Sequence, residues 1–138
     1  MKRYATVDST EFPLIRVQFT GEKSTDENFA LYLKEVQATY DRENRIGILF
    51  DATHATLPSL RHQKMQAKWL KDYKSLMQNY CAGTAYVIPN TLIRNVLKAI
   101  FALQKQPVPY RVCGEIEEGE EWLKIQIDQS SSDSSPNI

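Results

Sequence analysis

The sequence predicts an α/β fold: a mixed, mainly parallel sheet of four or five strands, opened by an N-terminal hairpin and covered by about four helices. Two observations carry this. Arg45-Ile-Gly-Ile-Leu-Phe-Asp51 is a continuous apolar run closing on an aspartate, the pattern of a strand buried on both faces. Around it, strand-like and helix-like periodicities alternate along the chain, the order expected of parallel strands joined by helical crossovers.

Tyr4 to Ser9 and Phe12 to Thr20 read as the first two strands, with alternation in Leu14-Ile-Arg-Val-Gln-Phe19 and a short link at Ser9-Thr-Glu11. Gly21 stops the second strand, and Ser24-Thr-Asp-Glu27 fits a capping box. The helix it opens runs to about Arg42, with Phe29, Tyr32, Leu33, Val36 and Tyr40 on one face. After the central strand, a helix from Pro58 to about Tyr80 carries Met65, Trp69, Tyr73, Leu76 and Tyr80 on one side. Arg61, Lys64, Lys68 and Lys71 descend the other. Ala82 to Ile88 is a strand, and Asn90 is placed to cap a helix from Thr91 to about Gln104. Pro107 and Pro109 end that helix, and Tyr110 to Cys113 forms a last strand. The closing helix starts with Glu117, Glu118, Glu120 and Glu121, which suit the positive end of a helix dipole. Residues 1–128 make one domain, and the polar segment 129–138 reads as a disordered tail.

The balance of 17 basic and 17 acidic residues argues against a dedicated nucleic-acid binder. Cys81 and Cys113 lie far apart beside predicted strands, which suits buried thiols in a reducing compartment. The N-terminal charges have no apolar core behind them, and no run approaches the ~18 apolar residues of a membrane span. The expectation is a cytoplasmic protein with at most peripheral membrane contact. No cofactor is implied, and two histidines, His54 and His62, leave no histidine-rich metal site.

Three stretches are candidates for function. The loop after the central strand gathers Asp51, His54, Thr56 and Ser59, at the strand end where ligands meet open α/β sheets. It reads either as a loop with helix-capping side chains or as a small hydrolase site, with His54 a base oriented by Asp51. The basic stripe, chiefly Lys64, Lys68 and Lys71, is either a solvated face or an electrostatic contact, with the acidic start of the last helix as its complement. The helix Thr91 to Leu103 is apolar around most of its circumference, with Arg94 and Lys98 its only charges. Such a helix offers more apolar surface than one sheet face covers. Leu97, Ile100 and Phe101, with Trp69, are the expected apolar surface for a ligand, a protein partner or a second copy of the chain.

The order of elements resembles the STAS-like proteins grouped with the sporulation anti-sigma-factor antagonist, the SpoIIAA-like domains. The resemblance spans residues 4 to 127. It rests on the hairpin ending Phe19-Thr-Gly21, the helix after Ser24-Thr-Asp-Glu27, the strand closing at Asp51, Tyr86-Val-Ile-Pro89 before an apolar helix, and Glu117-Glu-Gly-Glu-Glu-Trp-Leu123. It implies a helix-covered sheet with no known catalysis, and apolar ligands or protein partners. Phosphorylatable members switch partners through a serine in an Asp-Ser-Ser-Gly-like turn at the start of the helix after the central strand. Here that region is Thr56-Leu-Pro-Ser59-Leu60, with neither the aspartate nor the glycine. The resulting expectation is a non-enzymatic, self-associating binding module. A phosphorylation switch at Ser59 or Thr56 and a hydrolase using Asp51 and His54 are the alternatives.

Overall fold

A computed structural model describes residues 1–133. Strand β1 (Ala5–Asp8) pairs antiparallel with β2 (Leu14–Phe19). Strands β3 (Ile46–Asp51), β4 (Cys81–Val87) and β5 (Tyr110–Cys113) continue the sheet in parallel, in the order β1-β2-β3-β4-β5. The predicted class is therefore the observed one: an α/β fold with a mixed, mainly parallel sheet.

The strand order decides where the helices go. Each β-crossover-β connection is right-handed, so strands laid down one after another in one direction put every crossover on the same face. Those crossovers are α1 (Asp26–Ala38), the pair α2 (Leu60–Asp72) and α3 (Lys74–Tyr80), and α4 (Thr91–Leu103). The last helix, α5 (Ile116–Asp133), follows the final strand and covers the opposite face. Along β3, Ile46, Ile48 and Phe50 join the core beneath the crossover helices, whereas Leu49 packs with Leu123 of α5.

The two layers are built differently. On the α5 side, a Cβ added at Gly47 would stand 3.0 Å from Ile127 Cδ1, and one at Gly83 3.1 Å from Trp122 Cη2. Bare backbone at these positions lets α5 lie directly on the sheet. On the other side, α2 and α4 pack against each other, and bulky rings fill the layer beneath them.

Several boundaries differ from the sequence reading. The single helix expected from Pro58 to Tyr80 is interrupted at Tyr73, whose backbone leaves helical geometry (φ −108°, ψ 19°). The chain thus has five helices among the described residues. The box capping α1 is Thr25 with Asn28, not Ser24 with Glu27. Thr25 Oγ1 accepts from Asn28 N at 3.1 Å, and Asn28 Oδ1 accepts from Thr25 N at 2.7 Å. Helix α1 stops at Ala38, short of Arg42, where the Thr39 hydroxyl donates to the Val36 carbonyl and a turn follows. Helix α5 runs on to Asp133 and so takes in residues 129–133 of the segment expected to be a tail; residues 134–138 lie outside the described ones.

The acidic start of α5 does not meet the basic stripe of α2 within the molecule. Glu120 pairs with Arg16 at 2.6 Å and Glu118 with Arg111 at 2.9 Å, both on the sheet. The reason is topological: α5 and α2 cover opposite faces.

Candidate functional site

Between the sheet and the crossover helices lies an apolar cavity of about 90 Å³. Its floor is a row of rings near the carboxyl ends of neighbouring strands. Phe19 of β2 lies 5.5 Å from Tyr32 and 6.4 Å from Phe50 of β3, nearly parallel to the latter. Phe50 stacks at 5.0 Å and 11° on Tyr86 of β4. The register sets this up, since Phe50 and Tyr86 are direct partners and Phe19 lies two residues beyond the partner of Phe50. Phe101 of α4 closes the row edge-on to Tyr86 at 5.8 Å. The roof comes from Tyr32 and Val36 of α1, Trp69 of α2, and Val96, Leu97 and Ile100 of α4.

The four residues expected from the sequence to form the apolar surface stand together in this wall. Trp69 and Ile100 are buried, and Leu97 and Phe101 are half-buried. The surplus apolar surface of α4 thus divides: Ile93, Val96, Leu97, Ile100 and Phe101 turn to the cavity, and Leu92, 56 % exposed, stays in solvent. Leu92 lies in the first turn of α4. Exposed Leu57 and Leu60 occupy the loop before α2 and its first residue. All three belong to the strand-end side of the fold, where the crossover helices begin.

The loop after β3 is occupied by local bonding. Asp51 Oδ1 accepts from the Thr53 amide at 3.1 Å and its hydroxyl at 2.6 Å, and the His54 side chain is exposed. Thr56 lies in the cavity wall and donates its hydroxyl to the Glu22 carbonyl at 2.8 Å. Ser59 caps α2, accepting from His62 N at 3.2 Å. Lys64, Lys68 and Lys71 are exposed on α2 away from the cavity, with Lys68 paired to Asp72.

The cavity's electrostatics follow from its lining, which includes no Asp, Glu, Lys, Arg or His. Burial pushes the Tyr4 phenol up to about 12 and raises those of Tyr32, Tyr40 and Tyr86 further. The wall is uncharged at neutral pH, and the guest it suits is neutral. Most of its polar atoms are already bonded. Tyr32 Oη donates to Gln66 Oε1 at 3.0 Å, and Gln106 Nε2 donates to Tyr86 Oη at 2.7 Å. Among the described residues, Trp69 Nε1 is buried without a hydrogen-bond partner and Tyr40 Oη meets only the Cys81 sulfur; both residues line the cavity. The Cys81 thiol neighbours Tyr40, but it donates to the Gly83 carbonyl at 3.4 Å. An unpaired buried group costs roughly 1–3 kcal/mol. An empty cavity of this size costs on the order of 2 kcal/mol at ~24 cal/mol per Å³.

A buried polar chain escaped the sequence reading. His62, 5 % exposed, stacks on Phe29 at 5.3 Å. Its Nδ1 lies 2.7 Å from Ser24 Oγ and its Nε2 2.9 Å from Asp26 Oδ1, which also accepts from Arg61 at 3.0 Å. With Asp26 ionised, Nε2–H is the donor, and a neutral ring accepts the Ser24 hydroxyl proton at Nδ1. The available signal was spacing: His62, Met65 and Trp69 share one helical face. The chain ties the start of α1 to the start of α2. The His62 hydrogen bond, then Arg61, holds the Asp26 carboxyl below the usual range. The stabilisation it gives is complete above the unfolded-state value near ~3.9 and is lost as pH falls through the lowered folded value. Urea midpoints between about pH 5 and 3 are therefore expected to fall less steeply in Asp26→Asn than in the natural chain.

Comparison with protein-family models and with curated proteins finds no match for this chain. No helix among the described residues is long and apolar enough to cross a membrane.

Proposed function

We propose that this protein is a non-enzymatic binding module that holds a small, neutral, apolar ligand between its sheet and its crossover helices. One observation carries the reading: an aromatic-lined cavity without a charged side chain lies beneath the crossover helices, with the rings of Phe19, Phe50 and Tyr86 near the carboxyl ends of their strands. In open α/β folds that is the side where ligands bind. Mostly apolar, concave and largely preformed sites are the usual form of small-molecule pockets. The size bounds the guest. An engineered apolar cavity of about 150 Å³ admits benzene, so about 90 Å³ suits a short alkyl segment or a small ring as it stands, and a substituted ring or a lipid chain requires α2 and α4 to part. The STAS-like resemblance agrees in leaning toward apolar ligands or protein contacts and away from catalysis. The bonding of Asp51 to Thr53 and the exposure of His54 favour the loop as a structural connection over a hydrolase site.

Native mass spectrometry on freshly purified protein tests the reading. The expected result is an added mass that extracts into organic solvent, or, for a ligand-free preparation, a thermal midpoint that rises with toluene. A clean chain whose midpoint does not respond to toluene would overturn it.

A further inference from the structure

We infer that the ligand carries a hydrogen-bond acceptor, of the carbonyl-oxygen kind, to which the indole N–H of Trp69 donates. The inference rests on the binding reading above and narrows its ligand class. Trp69 and Tyr40 are 7 % and 2 % exposed, so water does not serve their polar atoms from outside. Both residues line the cavity; Trp69 Nε1 has no hydrogen-bond partner, and Tyr40 Oη meets only the Cys81 sulfur. Buried polar groups in folded proteins are nearly always paired, and a specific exception calls for a reason. The remaining wall shows the contrast. Tyr32, Tyr86, Tyr4 and Thr56 each make a hydrogen bond within the protein. The indole N–H can only donate, so its missing partner is an acceptor. The wall's lack of charged side chains favours a neutral acceptor over a carboxylate, whose desolvation nothing there would offset.

Acetophenone and its hydrocarbon isostere α-methylstyrene separate the hydrogen bond from the hydrophobic contact. Trp69→Phe keeps a ring and removes the donor. It is expected to weaken acetophenone about tenfold and to leave α-methylstyrene within about twofold. The natural chain gives a reading that needs no variant. Its two tryptophans, Trp69 and Trp122, provide a probe and an internal control. Acetophenone should move the Trp69 indole N–H proton resonance downfield, α-methylstyrene should not, and Trp122 on the α5 face should respond to neither. Binding of both compounds with no Trp69 shift, or equal weakening of both by Trp69→Phe, would overturn the acceptor while leaving the apolar cavity reading intact. Failure of acetophenone alone to bind the natural chain would overturn the acceptor, and failure of both compounds would overturn both readings. Should Trp69→Phe not fold, the resonance shift decides alone.

Discussion

Phe50→Ala is expected to destabilise the protein by about 3–5 kcal/mol, the range for removing a buried phenylalanine, and to make it dependent on an apolar additive. Phe50 is 7 % exposed and lies between Phe19 at 6.4 Å and Tyr86 at 5.0 Å, so its loss removes two ring contacts and enlarges the existing cavity. Against a total stability of order 5–15 kcal/mol, this is a large fraction, and the thermal midpoint should fall by roughly 10–15 °C. Toluene at a hundred times its dissociation constant returns about 2.7 kcal/mol, enough to recover half or more of the loss. Leu49→Ala is the control. Leu49 is 1 % exposed on the adjacent position of the same strand, but it faces α5, so its truncation should cost a comparable amount of which toluene restores less, because it enlarges no existing cavity. Thermal melts of both variants with and without toluene distinguish the cases. Equal rescue of both, or rescue of neither, would show that the cavity face has no special affinity for apolar guests.

The sequence made the roof of this site legible and hid its floor. Trp69, Leu97, Ile100 and Phe101 stood out because helical periodicity marks a continuous apolar face, and α4 had more of it than one sheet face needs. Phe19, Phe50 and Tyr86 did not stand out. A two-residue period separates the faces of a strand without saying which face lies under the crossovers, and β3 is apolar on both. Knowing that the floor is one row requires the strand order and register, which arise from long-range pairing. The same limit explains why, within the molecule, the acidic helix start meets arginines of the sheet and not the stripe of α2: only the sequential strand order sends α5 to the face opposite α2. The capping-box error was local. Ser24 to Glu27 and Thr25 to Asn28 both fit the three-residue spacing, and the choice is settled by His62, 38 residues away from Ser24, which takes the serine hydroxyl. The break at Tyr73 has no glycine or proline to announce it.

Val96→Phe is expected to do the opposite of Phe50→Ala: to stabilise the chain and abolish ligand binding. Val96 is half-buried on α4 in the cavity wall. Overpacking a filled core costs about 1–3 kcal/mol, but here the added ring has open volume to enter. Each newly buried methylene-sized group contributes about 0.8 kcal/mol. A net gain of about 1 kcal/mol, read as a thermal midpoint roughly 3 °C higher, is the expected balance, together with loss of the toluene response. Stabilising substitutions of this kind commonly cost function where the native site is held open for it. An unpaired indole N–H and an unfilled volume in one wall are costs that simple packing has no reason to retain. Stabilisation with binding kept would place the ligand elsewhere. Destabilisation would mean that the wall is rigid around its present shape, and that the space beneath α4 is a packing gap, not a receptacle.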